Sequence, residues 1–207
     1  MPILFQTTKR KKHLSLTRPT RQNTPQAKEF PVPIVGGKDC ALVSSTPEHK
    51  YSFAFGSIKV TALHTPCHTQ DSICYFLEDG SDRAVFTGDT LFIGGCGRFF
   101  EGTPEQMHTA LNETLSALPD DTKVYPGHEY TKGNVKFAKS VLPDDAAVKR
   151  LDEYSQANKE TQGKFTIGDE KQHNVFMRVT DPAIQKITGM TKPIDVMGAL
   201  RSMKDKS

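Results

Sequence analysis

Apolar residues along this chain change period near residue 130. In "YSFAFGSIKVTAL" (51–63), Tyr51, Phe53 and Phe55 alternate with small or polar residues. Ile58, Val60 and Ala62 then resume the alternation, which predicts two half-buried strands turning at Gly56 and Ser57. "SICYFLEDGSDRAVFTGD" (72–89) reads as strand, glycine-containing turn and strand, leaving Asp89 just past the second strand. In "TPEQMHTALNETLSALP" (103–119), Thr103 predicts an N-cap, Pro104 the first helical position and Gln106 the far side of a capping box. Met107, Ala110, Leu111, Leu115 and Leu118 mark one helical face, and Pro119 ends it. "TKVYPGHEY" (122–130) predicts a short strand entering a Pro-Gly turn that carries His128.

Beyond residue 130 the period is helical. "NVKFAKSVL", "DAAVKRLDEYSQANK" and "PIDVMGALRSMK" read as helices, and "TQGKFTIGDEK" (161–171) as the main loop between them. The pattern predicts an α+β protein, a β-rich layer followed by helices, with a seam near residue 131. Residues 1–29 form a basic, polar, aperiodic tail, 30–130 the β-rich part and 131–207 the helical part.

With 207 residues, 36% hydrophobic and 25% charged, the chain fits a globular protein with a sizeable core. Its apolar runs are too short for a membrane span. The formal charge of +3 conceals an asymmetry: residues 1–28 hold seven Lys or Arg and no acid, while the remainder holds 20 basic and 24 acidic residues. A mildly acidic body argues against nucleic acid as a partner. The tail has the composition of a disordered segment, of a mitochondrial transit segment weakened by Pro19 and Pro25, or of an unspecific "KRKK" patch for polyanions or localisation. Four cysteines are too few for a disulfide framework. Cys67, Cys74 and Cys96 sit in apolar or glycine-rich segments, as small buried thiols do.

His68 ("TPCHT"), Asp89 ("TGDTL") and His128 ("YPGHEY") each follow a loop former at a strand-to-loop junction. Strand ends converge at one rim of a sheet, and imidazole with carboxylate suits zinc, iron or manganese. Taken singly, each is as readily a turn or capping residue. His64 could support His68 but reads as a surface residue. His108 falls on the polar face of the capped helix, and His13, His49 and His173 fall in loops. There is no G-x-S-x-G elbow and no phosphate-cradling glycine loop.

"TPCHT", "AVFTGDTLFIGGCGRFFEGT", "VYPGHEYT", "NVFMRV" and "RSMKD", in this order, resemble hydroxyacylglutathione hydrolase (glyoxalase II), of the metallo-β-lactamase superfamily, over residues 30 to 207. The resemblance implies part of an αββα sandwich with a two-metal centre at its rim, followed by a helical glutathione-binding domain. It implies hydrolysis of S-D-lactoylglutathione and kindred thiolesters to glutathione and a hydroxy acid, the chemistry of methylglyoxal detoxification. By position His68 would bind one metal, His128 the second, and Asp89 would bridge them. Arg201 and Lys204 would hold the glycine carboxylate of glutathione, with Arg98, Tyr130 and Phe100 along the tripeptide, Phe100 standing where a tyrosine hydroxyl is common. The family's T-H-x-H-x-D-H motif, with four more ligands, is absent from the sequence. The expectation is therefore that residues 1–207 do not complete a two-metal centre, and that the sheet shows a bare edge and an apolar face. A glutathione-conjugate binder without turnover is the alternative. The related persulfide dioxygenase fits less well, because it usually lacks the long helical part with R-x-x-K. The expected protein is a cytoplasmic or mitochondrial monomer.

Overall fold

A computed structural model describes residues 34–40 and 43–207, so the basic tail lies outside the described residues. Strands β1 (Ser52–Phe55) and β2 (Ile58–His64) form the first hairpin, with Phe55 opposite Ile58. Gly56 takes φ +62, where a side chain would be strained. β3 (Ile73–Asp79) and β4 (Asp82–Gly88) form the second hairpin around Gly80, also at positive φ. β7 (Lys123–Pro126) pairs parallel with β4, giving the order β1-β2-β3-β4-β7. Between them lie the two-residue strands β5 (Leu91–Phe92) and β6 (Gly95–Cys96) and the helix α1 (Pro104–His108).

Period-2 patterning sorts the sheet's two faces. Leu63, Cys74, Phe76, Val85 and Val124 point to the main core under the helices. Val60, Ala62, Ile73 and Tyr75 point the other way, into a smaller cluster rimmed by half-buried Phe53, Ile58 and Leu77. β1 is an edge strand flanked by exposed Tyr51 and Phe55.

The capping box at Thr103 forms as the sequence predicts. From Thr109 to Leu115, however, the helix widens to π-helical pairing, with Ser116 N–H donating to Leu111 O at 3.0 Å. The helices α2 (Thr131–Val141), α3 (Ala146–Ala157) and α6 (Pro193–Asp205) occupy the predicted stretches. The stretch read as the main loop, 161–171, differs: α4 (Ile167–His173) begins within it, capped by Thr166 and Asp169. α5 (Pro182–Thr188), capped by Asp181 and stopped at left-handed Gly189, is a further element. Among the described residues no helix is long and apolar enough to cross a membrane.

Candidate active site

β4 and β7 lie side by side and parallel, so their C-terminal ends open at one rim. Gly88 ends β4 at φ +51, and its carbonyl accepts the Gly127 N–H at 2.8 Å, tying the two loops together. A Cβ on Gly127 would stand 2.8 Å from Asp89 Oδ1, so only glycine lets the His128 loop come this close. A Cβ on Gly97 would meet the Asp89 carbonyl at 1.9 Å. These contacts bring His68, Asp89 and His128 together as the sequence predicts.

Asp89 stands between the two imidazoles. Its Oδ1 is 2.6 Å from His128 Nδ1, and its Oδ2 is 3.5 Å from His68 Nε2. The other nitrogen of His68, Nδ1, lies 3.0 Å from the Arg98 carbonyl, which can only accept. Nδ1 therefore donates to that carbonyl, which aims Nε2 at the Asp89 carboxylate. An aromatic ring backs each imidazole. Exposed Phe100 is 5.1 Å from the His68 ring, and Tyr130 stacks on His128 at 5.1 Å with 7° between planes. Phe92 meets both Tyr130 and His128 edge-on. His64 is not drawn in: its Nε2 is 2.7 Å from the Pro47 carbonyl.

The donor chemistry suits a metal, but the arrangement does not hold one unaided. The two rings meet opposite oxygens of one carboxylate, and among the described residues no group of three or more His, Cys, Asp or Glu could hold an ion.

Beside this hub, the last helix supplies cations. Arg201, 7% exposed, donates from Nη2 to Asp205 at 2.6 Å and lies over the Phe176 ring. Arg98, exposed, shares that carboxylate at 3.4 Å. The Lys204 amine donates to Asn134 Oδ1 and rests over Phe137 and Phe176. Burial pushes the Lys204 ammonium down to about 8, with neighbouring Arg201 adding to the fall and Asp205 opposing it. Arg98, Arg201 and Lys204 outnumber Asp205 here, so the cluster carries net positive charge. Asp205 and Asn134 are not among the candidate residues that the sequence offers. Asp205 has a signal there, its i,i+4 spacing from Arg201, whereas Asn134 has none.

The buried thiols give no nucleophile. Burial holds Cys67 at about 12, and Cys74 and Cys96 at about 11.

Two family models divide the described chain. The metallo-beta-lactamase superfamily matches residues 34–128, and the hydroxyacylglutathione hydrolase C-terminus matches 129–207. A probable hydroxyacylglutathione hydrolase of Schizosaccharomyces pombe is 52% identical over 179 residues, 86% of this chain and 70% of its own length. The cytoplasmic isozyme of hydroxyacylglutathione hydrolase from Saccharomyces cerevisiae is 44% identical, over 84% of this chain and 69% of its own. Among solved structures, a metallo-beta-lactamase of Staphylococcus aureus superposes with a TM-score of 0.53 at 23% identity, over 87% of this chain and 52% of its own. That last likeness is one of fold.

Proposed function

Because the chain belongs to the hydroxyacylglutathione hydrolase family, we propose that it hydrolyses S-D-lactoylglutathione and kindred hydroxyacylglutathione thiolesters to glutathione and a hydroxy acid. The observation that carries this reading is a carboxylate held between two imidazoles beside a cluster of cations. Arg201 and Lys204 take the glycine carboxylate of the tripeptide. Arg98 and Tyr130 flank its path, and Phe100 offers a ring face without a hydroxyl. Anion binding there draws on charge that Asp205 alone does not neutralise.

Zinc, iron or manganese is the metal chemistry proposed for the family. On this chain Asp89, His68 and His128 are the donors that face one another, and they do not complete a centre. No step of the reaction is assigned to an ion held by these three residues. The Nδ1–H of His68, donated to the Arg98 carbonyl, orients the ring so that Nε2, facing Asp89, is the atom that would serve as a ligand. The compartment is proposed to be the cytosol and the protein a monomer.

Free-thiol release from S-D-lactoylglutathione, with and without added divalent metal, tests the reading. The wild type is expected to release glutathione, and Asp89→Asn to lose at least about 100-fold of that rate, because the hub loses its charge. Arg201→Met is expected to raise KM more than it lowers kcat. Equal rates for wild type and Asp89→Asn would defeat the reading. Tight binding of S-hexylglutathione with no thiol release from any variant would replace it with conjugate binding alone.

A further inference from the structure

The most deeply buried acid among the described residues lies outside the hub and the cation cluster. Glu170 is fully buried on α4. Its carboxylate accepts the Gly94 N–H at 3.0 and 3.3 Å, one distance to each oxygen. It also accepts His173 Nε2–H at 2.9 Å and Asn174 Nδ2–H at 2.8 Å. Asn174, itself buried, donates as well to the Gly95 carbonyl at 3.0 Å. Gly94 and Gly95 form the tip of the β5–β6 hairpin, where Gly94 stands at φ +69. The hairpin's two arms run back to the site. One arm begins right after Asp89; the other ends at Gly97 and Arg98, whose carbonyl orients His68. Gly97 N–H closes the base on the Thr90 carbonyl at 3.2 Å.

We propose that Glu170 is a positioning residue for the reaction: through Gly94 and Gly95 it fixes the hairpin that sets Asp89 and His68 relative to each other. The proposal rests on the thiolester-hydrolase reading above for its kinetic consequence, but its structural consequence stands alone. A buried carboxylate with this set of donors cannot be replaced by an amide of the same shape. Gln has one acceptor oxygen, and its NH2 would face the donors of His173 or Asn174. With that oxygen in the Oε2 place Gln keeps Gly94 and Asn174, so the tip loses the charge and the second, 3.3 Å contact to Gly94 and its hold is weakened, while the sheet's own hydrogen bonds persist. A change well under 1 Å at the tip is carried down two-residue strands to a site in which 1 Å of misplacement costs about 100-fold in rate.

The test is Glu170→Gln in the full chain, read in two ways. Amide hydrogen exchange is expected to quicken at least about tenfold at Gly94, Gly95 and Gly97, while the β3–β4 ladder stays as in wild type. kcat for S-D-lactoylglutathione is expected to fall about 10- to 100-fold and by more than KM rises, since Arg201 touches the hairpin only through the Cys96 carbonyl and Lys204 only through Asn134. If Glu170→Gln does not fold, Glu170→Asp keeps the charge and retracts it by one methylene, and should show the same pattern more weakly. Exchange rising equally at all amides would make Glu170 a general stabiliser and overturn the proposal. So would unchanged exchange at the hairpin. Should wild type release no thiol, the hydrolase reading fails while the exchange result still decides the role of Glu170.

Discussion

Lys204 carries its charge at a cost to the folded state. The amine lies between two phenylalanine rings, with one neutral acceptor on Asn134 and a second cation nearby. Its folded value of about 8 lies below its ordinary 10.5. Between those values the unfolded chain holds a proton that the folded chain has shed, so this residue's contribution to stability rises with pH through that window. Below about 8 the penalty is at its fullest. Lys204→Met is therefore expected to be more stable than wild type at pH 7, by about 1–2 kcal/mol after allowance for solvent, with the gain shrinking toward pH 10. Urea denaturation at both pH values checks this, and a gain that grows with pH would contradict it. Under the glutathione-binding role proposed for Lys204, the stabler variant is expected to bind glutathione conjugates more weakly, a stability–activity trade-off. The convergence of His68, Asp89 and His128 was legible because each stands beside Pro or Gly loop formers, whereas Arg201 and Lys204 rest on the resemblance of "RSMKD". Glu170 was legible in neither way. Its partner on the hairpin is a backbone N–H 76 positions away, and Glu in the middle of a short helix looks like any solvated acid.

At the scale of elements, Arg178 joins three ends. It donates to Asp145 at the start of α3 (2.8 Å), to Asp181 at the start of α5 (2.5 Å) and to the Gln172 carbonyl near the end of α4 (2.6 Å). Burial works against both carboxylates. It is outweighed at Asp145 by the Val148 N–H and Arg178, and at Asp181 by Arg178 and the Ala183 N–H, so both are held below the ordinary 3.8. Depressed carboxylates add stability that is present above the unfolded value and lost as pH falls through the folded one. Wild type is expected to lose stability steadily below about pH 4. Arg178→Met is expected to be about 2–3 kcal/mol less stable at pH 7, with a shallower acid limb. A pH titration of thermal stability for the two proteins decides it, and parallel acid limbs would count against the pairing. β2, β3, β4 and the long helices were legible because their apolar periods run for seven residues or more. α4 was not: at seven residues, with polar "GDEKQH" after one isoleucine, it has no apolar stripe, and its capping box is Thr-x-x-Asp instead of the usual Glu or Gln. The π-helical turn after α1 was equally hidden, since 3.6- and 4.4-residue periods agree over so short a span.

At the scale of the molecule, the sequence places a seam near residue 131 and the family models part at 128 and 129, yet the core has no such boundary. One cluster takes in Phe76 and Val85 from the sheet, Met107 from α1, Leu111 from the π-helical turn after it, Val135 and Phe137 from α2, and Phe176 and Leu200 beyond. The backbone crosses the division as well. Val124 N–H donates to the Phe165 carbonyl and Ile167 N–H to the Thr122 carbonyl, both at 2.9 Å, so the segment before α4 pairs with β7. The hairpin tip is pressed from the helical side, where a Cβ on Gly94 would lie 2.8 Å from Leu151 and one on Gly95 2.6 Å from Asn134. Separate domains would share little but a polar interface; these two halves share apolar interior. Calorimetry is therefore expected to show one transition whose calorimetric and van't Hoff enthalpies agree. Residues 129–207 alone are expected to give a collapsed amide spectrum, because Val135, Phe137, Phe176 and Leu200 would lose the sheet and α1 that cover them. A dispersed spectrum from that piece would show the helical half to be autonomous. It would also loosen the argument for the site, because hub and cation cluster keep their spacing only while one core holds both.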